Sequence, residues 1–191
     1  MIGYSPRVAV TSKPEKPVKD SHCGSCGAPY TALPHPGAWP RVCAACGATA
    51  YRNPLPVAVA LSPVTGDDGT GDDRTGLVVI IRTIEPCLGG TALPGGFIDH
   101  DEDWKHAVVR ELREETGIEA DRDDVRLADA LSDPDGHLLL FGLLPARPAA
   151  ALPPSAPTAE TSGYRVLRSP EALAFPLHTE AVRAWFAGRY R

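Results

Sequence analysis

The sequence has no long apolar run. It contains no stretch of about 18 consecutive apolar residues, the length that crosses a bilayer as a helix. Residues 1–20 also lack the apolar segment of a secretory signal peptide and carry scattered prolines and lysines instead. We therefore expect a protein that stays in the cytoplasm and has no membrane partner.

An excess of positive charge is missing as well. The chain has 19 Lys and Arg residues against 24 Asp and Glu residues, a formal net charge of −5. Binding to a nucleic-acid backbone depends on a basic face that releases counterions. No nucleic-acid partner is expected, and any phosphate that this chain binds would need a metal ion.

Cysteine is scarce and unevenly placed. Four of the five cysteines form two close pairs, Cys23 with Cys26 and Cys43 with Cys46, while Cys87 stands alone. Such pairs suit metal ligation in a reducing compartment better than a disulfide framework. We expect Cys87 to be an inert residue of the packing.

What is present suffices for one packed core. The 191 residues are 43% hydrophobic and 23% charged, which fits a folded domain of ordinary size with a small appendage. Composition divides the chain into a flexible arm at 1–20, a Gly-, Pro- and Cys-rich segment at 21–54, and a main domain at 55–191. No internal repeat is evident.

Strand signals recur through the main domain. Short runs rich in β-branched residues at 56–61 and 77–82 flank a Gly- and Asp-rich loop and predict two strands of one sheet. Further strands are predicted at 125–131, 137–144 and 164–167. The run at 137–144 is almost entirely apolar, which predicts burial on both faces.

Two helices are predicted from apolar spacing of three and four residues. The first covers 101–116, where an aspartate within 99–103 would cap the start and Gly117 would end it. The second covers 178–190. Strands interspersed with helices indicate the α/β class. The apolar positions that define the two helices are Trp104, Ala107, Val108 and Leu112, then Val182, Trp185 and Phe186.

Three glutamates share one face of the first helix. Glu111, Glu114 and Glu115 are three and four residues apart, so they project from one turn. Like charges at this spacing cost a helix about 0.2–0.5 kcal/mol per pair, which a divalent cation would reverse. The pattern suits a Mg²⁺ or Mn²⁺ site, although a glutamate-rich turn is by itself more often a solvated acidic face.

Residues around the three glutamates fit the same site. Arg110 lies four residues before Glu114 and can hold its carboxylate in place. Glu102 lies one to two turns earlier and would orient the other glutamates or a water molecule. Gly96 ends a Pro-Gly-Gly turn, where the missing side chain lets a backbone carbonyl approach the metal.

The spacing of these residues resembles the Nudix box. The resemblance extends over about residues 55–190, and nothing in the defining motif departs from it. It implies a hydrolase of nucleoside diphosphates linked to another moiety, folded as an α/β/α sandwich with a mixed sheet. The matching positions are Gly96, Glu102, Arg110, Glu111, Leu112, Glu114, Glu115, Gly117 and Ile118.

The resemblance also assigns roles. Glu111, Glu114 and Glu115 would ligate the catalytic cations, and Arg110 would position a glutamate. The general base differs among Nudix enzymes, so Glu111 is one candidate and a later acidic residue is another. Glu160 lies where many members place an extra carboxylate, although it could equally be an exposed loop residue.

The cysteine pairs predict a zinc ribbon over residues 21–54. Sixteen residues separate the two Cys-x2-Cys pairs, a spacing typical of a four-thiolate zinc site. So short a segment cannot bury a core of its own, whereas structural zinc contributes about 10–16 kcal/mol in finger peptides. His22 and His35 are weaker ligand candidates, because four cysteines already complete the shell.

The run at 46–54 leads directly into a strand and resembles the zinc-ribbon branch of Nudix proteins. That branch includes pyrophosphatases for NADH, ADP-ribose and FAD. The Ser-Gln-Pro-Trp-Pro-Phe-Pro stretch typical of the NADH enzymes is missing from 119–145, which weakens NADH specificity. ADP-ribose, FAD, a nucleotide sugar and an oxidised nucleotide stay open, with ADP-ribose-like and dinucleotide substrates favoured.

Other classes of function stay open too. A catalytically silent Nudix ligand sensor would usually carry a degraded box, and this box is intact. A ribbon that binds nucleic acid would need more basic residues than Arg41 and Arg52, the fixed positive charges between His22 and Arg52. The ribbon could instead shape the substrate entrance or a homodimer contact.

Overall fold

The structure is a computed structural model that describes residues 20–31, 38–66, 69, 71 and 74–190. The chain divides into two compact units, Met1–Asn53 and Pro54–Arg191. The predicted arm, apart from Asp20, and His35 lie outside the described residues. Within the described part, no helix is long and apolar enough to cross a membrane.

The first unit contains a two-stranded antiparallel sheet of β1 (Arg41–Val42) and β2 (Thr49–Ala50). Each cysteine pair forms a tight turn that ends in a glycine. Gly27 and Gly47 have φ angles of 74° and 73°, the left-handed region that glycine adopts without strain. Their N–H groups donate to the carbonyl oxygens of Cys23 and Cys43, each at 2.8 Å, so both turns have the same geometry.

The second unit contains two sheets and two helices. Its elements are β3 (Leu55–Leu61), β4 (Pro63–Thr65), β5 (Gly76–Arg82), β6 (Thr91–Ala92), β7 (Gly95–Phe97), α1 (Trp104–Thr116), β8 (Arg126–Ser132), β9 (His137–Leu143), β10 (Arg147–Pro148), β11 (Thr161–Leu167) and α2 (Pro176–Phe186).

One sheet has the strand order β7-β3-β9-β8, and the other has the order β10-β4-β5-β11 with β6 paired to β5. In the first sheet, β3 and β9 run parallel while the outer pairs are antiparallel, so the sheet is mixed. The α/β class with a mixed sheet is therefore confirmed.

The core lies on both faces of the first sheet. Successive residues of a strand point to opposite faces, and in β3 Val59 and Leu61 pack in a cluster with α2. Ala58 and Ala60 face the other way and pack in a cluster with α1. Phe141 of β9 is the largest fully buried side chain. This alternation places α1 against the sheet that also carries the Pro-Gly-Gly turn at 94–96, called the glycine turn below.

The first helix begins three residues later than the sequence predicted. Asp103 is its N-cap and accepts hydrogen bonds from the backbone N–H groups of Lys105 at 3.0 Å and His106 at 3.4 Å. Asp101 has a φ of 66°, which an α-helix does not accommodate. The predicted end at Gly117 is correct, with a φ of 73° there.

Three other boundaries or pairings were wrong. The predicted strand at 164–167 starts earlier, at Thr161, and the predicted helix at 178–190 is Pro176–Phe186 because Pro176 fits the first turn of a helix. The strands at 56–61 and 77–82 belong to different sheets. The chain leaves the first sheet after Leu61, and β4 then pairs with β5.

Gly142 fixes how closely α1 packs on β9. A Cβ atom there would lie 2.8 Å from methyl groups of both Val108 and Val125. We predict that Gly142→Ala lowers the free energy of unfolding by about 1–3 kcal/mol, because the buried site is already filled. Denaturant unfolding measures the change.

Combining Gly142→Ala with Val108→Ala is the matched control. The second substitution removes the methyl groups of Val108 and leaves that of Val125, so the double variant should lose less stability than the sum of the two single losses. Strictly additive losses would show that close packing at Gly142 does not limit stability.

Candidate active site and metal centre

The glycine turn and helix α1 meet at two glutamate carboxylates. The N–H of Gly95 donates to Oε2 of Glu115 at 2.8 Å. A Cβ atom on Gly96 would overlap the carboxylate of Glu111. Glycine is thus required at position 96, where the strand passes over the Glu111 side chain, and the turn lies directly against Glu111 and Glu115.

Arg110 connects the acidic residues of the box. Its Nε and one terminal nitrogen each donate to Glu102 at 2.8 Å, a two-pronged contact that fits the planar guanidinium. The other terminal nitrogen donates to Glu111 at 2.7 Å and reaches Glu114 at 3.3 Å. A further bond to the carbonyl of Phe97, at 3.1 Å, ties the cluster to β7.

Glu102 acts as the partner of Arg110. Its side chain is only 8% exposed, and the hydrogen bonds from Arg110 lower its pKa to about 2. The backbone N–H of Asp99 and the ring of His106 also contact this carboxylate, at 3.1 and 3.0 Å. Because its oxygens are already engaged, Glu102 can orient Arg110 but has no open face for a cation.

Glu111 and Glu115 are held in a poorly solvated position. Burial, with smaller contributions from the charges of Glu111 and Glu160, raises the pKa of Glu115 to about 8. Burial also raises the pKa of Glu111, although Arg110 opposes this shift. Ionising both carboxylates here is unfavourable unless a cation arrives, which is the chemistry expected of metal ligands.

Glu114 and Glu160 are more exposed. The side chain of Glu114 is 50% exposed and turns towards Arg110. Glu160 lies before β11, where its carbonyl accepts from the N–H of Thr83 at 2.8 Å. The charge of Glu160 contributes to the raised pKa of both Glu111 and Glu115, so this loop carboxylate is electrostatically coupled to the pair.

The carboxylate oxygens of the acidic residues do not converge on one position. Among the residues that the structure describes, the four paired cysteines are the group of three or more potential ligands whose ligand atoms converge; the glutamates form no such group. Glu111 and Glu115 face the glycine turn, while Glu114 faces Arg110. A cation bound here would therefore share the carboxylates with water and substrate oxygens, as Mg²⁺ commonly does.

Sequence reasoning missed Arg82. This residue ends β5 and pairs with Thr161 of β11, whose hydroxyl donates to the carbonyl of Glu115 at 3.0 Å. Nε of Arg82 donates to the carbonyl of Pro86 at 2.9 Å, and its guanidinium lies 5.2 Å from the ring centroid of Phe175. A lone arginine at the end of an apolar strand was the available signal.

His178 was also missed, except as the start of a helix. It is buried in α2, and burial, with the charge of Arg82, lowers its pKa to about 3. The neutral ring accepts a hydrogen bond through Nδ1 from the N–H of Leu93 at 3.2 Å. Leu93 precedes the glycine turn by one residue, so this hydrogen bond connects α2 to the start of the turn.

The four paired cysteines of the first unit form a second candidate site. Their Sγ atoms all lie within 4.8 Å of one another, with Cys23 to Cys46 at 3.8 Å and Cys26 to Cys43 at 3.7 Å. Tetrahedral zinc with bonds of about 2.3 Å separates its sulfurs by roughly 3.8 Å. The residues present therefore fit zinc.

Neither His22 nor Cys87 adds a ligand to the four-cysteine cluster. His22 contacts the hydroxyl of Ser21 at 2.9 Å and does not join the cysteine group. The expectation that Cys87 is part of the packing was wrong: its side chain is exposed, since it lies in the surface loop between β5 and β6.

The family is shown by comparison with known proteins. The family model of the NUDIX domain matches residues 54–187. The chain belongs to the Nudix family, as the box predicted.

Individual relatives agree with this assignment. An ADP-ribose pyrophosphatase of Methanocaldococcus jannaschii is 41% identical over 58 residues, which is 30% of this chain and 34% of that protein. The match thus spans about a third of that curated relative. A NUDIX hydrolase from Nitrosomonas europaea shares the fold, with a TM-score of 0.65 and 21% identity over 88% of this chain and 92% of its own.

A third similar structure is the NUDIX domain of Shewanella oneidensis NrtR, solved with ADP ribose. Its TM-score is 0.54, with 20% identity over 73% of this chain and 90% of that chain. At this level of identity the likeness concerns the fold.

The raised pKa of Glu115 predicts how stability depends on pH without Mg²⁺ or Mn²⁺. The folded carboxyl keeps its proton up to about pH 8, whereas the unfolded one loses it near 4.5. This group therefore lowers the free energy of unfolding as pH rises from about 4.5 to 8, by up to about 1.4 kcal/mol per pH unit.

Glu115→Gln should remove that slope, and urea unfolding at several pH values measures it. Glu119→Gln, an exposed glutamate just beyond α1, is the control and should keep the wild-type slope. An unchanged slope in Glu115→Gln would contradict the buried, protonated carboxyl.

Proposed function

We propose that this chain is a divalent-metal-dependent hydrolase that cleaves the pyrophosphate bond of a nucleoside diphosphate linked to another moiety. The observation that carries the proposal is the pair of a half-buried Glu111 and a buried Glu115, held against the glycine turn with raised pKa values. Two desolvated carboxylates beside an exposed third, Glu160, form a site that a divalent cation would stabilise.

In this proposal Glu111, Glu114 and Glu115 hold Mg²⁺ or Mn²⁺, together with the backbone carbonyl of Gly96. A bound cation of this kind neutralises phosphate oxygens and lowers the pKa of a bound water. Arg110 and Glu102 act as positioning residues. Arg110 fixes the rotamer of Glu111 through the 2.7 Å contact, and Glu102 fixes Arg110.

Glu160 is the better candidate for the general base. One oxygen of Glu111 already accepts a hydrogen bond from Arg110 at 2.7 Å, and this carboxylate is also proposed as a metal ligand, so less of it is open to a water molecule. Glu160 is exposed, its charge reaches both buried glutamates, and it lies on the loop before β11. It can therefore accept a proton from a water molecule that attacks the substrate phosphorus.

The relative from Methanocaldococcus jannaschii favours an ADP-ribose-like substrate, because its name states that activity and its matched segment is 41% identical. Dinucleotides and nucleotide sugars present the same diphosphate and are the next candidates. A silent ligand sensor is less favoured, because every charged residue of the box is present and in contact.

We further propose that Cys23, Cys26, Cys43 and Cys46 hold a structural zinc ion. Four free thiolates fit a reducing compartment, hence the cytoplasm. Nucleic-acid binding by this unit is not favoured, because Arg41 is buried and only Arg52 among its described arginines is exposed. A homodimer stays a prediction.

Replacing Glu115 or Glu114 by glutamine tests the assigned roles. Each variant should lower kcat by at least about 100-fold with Mg²⁺ or Mn²⁺, because a neutral amide is a poor ligand for these cations. Glu119→Gln is again the control. Undiminished turnover by Glu115→Gln would refute the role of the buried pair.

The reaction itself is established with a panel of ADP-ribose, NADH, FAD, nucleotide sugars and modified nucleoside triphosphates, with products separated by chromatography. Splitting of ADP-ribose into AMP and ribose phosphate is the expected result. Binding without cleavage would favour the sensor, and a salt-dependent shift of an oligonucleotide would favour nucleic-acid binding.

Arg82 is proposed to contact a substrate phosphate. Its Nε is engaged by Pro86 and its plane lies near Phe175, so its terminal nitrogens are pre-oriented. In the described part of the chain, no carboxylate lies within ion-pair distance of them. A fixed guanidinium beside the acidic pair suits a diphosphate.

Arg82→Ala should therefore raise KM roughly 10- to 100-fold, the range expected for loss of a hydrogen bond to a charged group, with a smaller change in kcat. Steady-state kinetics give both values. Arg113→Ala, an exposed arginine of α1, should leave KM unchanged. An unaltered KM in Arg82→Ala would remove Arg82 from the substrate site.

A further inference from the structure

A buried arginine lies next to the cysteine cluster. Arg41 begins β1, two residues before Cys43, and is only 8% exposed. Its Nε donates to the carbonyl of Ala38 at 3.2 Å, and a terminal nitrogen donates to the carbonyl of Asp20. These carbonyl groups satisfy hydrogen bonds of the guanidinium but leave its positive charge unbalanced.

Two aromatic rings enclose this cation. The guanidinium carbon lies 4.4 Å from the ring centroid of Trp39 and 5.5 Å from that of Tyr30. Ring faces attract a cation, but this attraction offsets only part of the cost of removing an ion from water. Burial of Arg41 therefore calls for an anion close by.

No carboxylate supplies that anion in the described residues, where Arg41 forms no ion pair. In the described part of the chain, the cysteine cluster is a source of negative charge close to Arg41 in sequence. Four thiolates around one Zn²⁺ ion carry a net charge of −2, and Cys43 follows Arg41 by two residues.

Tyr30 connects the arginine to the thiols. One face of its ring meets Arg41, and its hydroxyl is buried without a hydrogen-bond partner among the described groups. The same hydroxyl interacts electrostatically with the thiols of Cys23 and Cys43. An O–H without a hydrogen-bond partner at this place is suited to donate to a thiolate of the cluster, a weak acceptor.

We propose that Arg41, held between Trp39 and Tyr30, is the cation that balances the zinc-bound thiolates, and that the Tyr30 hydroxyl donates to Cys23. This inference rests on the proposed zinc site and is independent of the hydrolase activity. Both residues are positioning residues, since neither binds the metal. Their effect is to slow the loss of zinc from the first unit.

Zinc release from the full chain tests the proposal. The zinc-loaded protein is mixed with a chromophoric chelator in the absence of nucleotide, and the rate of zinc transfer is followed by absorbance. Arg41→Met keeps the bulk of the side chain and removes the charge. It should accelerate release about 10- to 100-fold, the range for loss of a group that supports metal ligands.

Charge and shape are separated by two further variants. Arg41→Lys keeps the charge and should recover most of the wild-type rate, whereas a role in packing alone would leave it as fast as Arg41→Met. Tyr30→Phe removes one oxygen atom and should accelerate release about 2- to 10-fold. Arg52→Met, an exposed arginine of the same unit, is the control and should not change the rate.

The outcomes distinguish the inference from its premise. A wild-type protein without zinc by elemental analysis overturns both the zinc site and the inference. A zinc-loaded wild type whose release rate is unchanged in Arg41→Met and Tyr30→Phe overturns the inference alone. If Arg41→Met does not fold, Tyr30→Phe decides the question, because a wild-type rate in that variant also contradicts the proposed contact.

Discussion

The contact between Arg110 and Glu102 is the interaction on which the acidic site depends. Arg110 holds Glu102 with two nitrogens and Glu111 with the third. One guanidinium group therefore fixes the carboxylates of Glu102 and Glu111, which would otherwise repel each other. Because Glu102 shares the charge of Arg110, that charge does not fully balance Glu111 and Glu115, whose pKa values stay raised. The glycine turn contacts Glu111 and Glu115, whose side chains are held in place but whose negative charge is not fully balanced.

Much of this arrangement could be predicted from local sequence. Spacing placed Glu111 and Glu115 on one helical face, glycine at 96 indicated close approach, and the cysteine pairs indicated a metal site whose sulfur distances fit zinc. These features depend on residues close in sequence or on a known motif. The places of Arg82 and His178 could not be predicted, because strand pairing and helix docking, not a local pattern, bring them to the glutamates and the glycine turn.

The errors have the same physical origin. Hydrophobic runs at 56–61 and 77–82 predicted strands correctly, but their composition does not say which strands pair, so the break at Ser62 between sheets was invisible. The helix start was misplaced because Asp99, Asp101 and Asp103 are equally good caps by residue type. The positive φ of Asp101 keeps that residue out of the helix, and the structure has Asp103 as the cap.

His178 lies 85 residues after Leu93, the residue whose N–H it accepts. During synthesis the whole box leaves the ribosome well before the helix that supports its glycine turn. The box can form its helix early, since α1 has its own cap and end signals, but the turn stays without its histidine until α2 docks. The hydrogen bond to the turn therefore requires that α2 has been synthesised, and a shorter nascent chain carries every box residue without that contact.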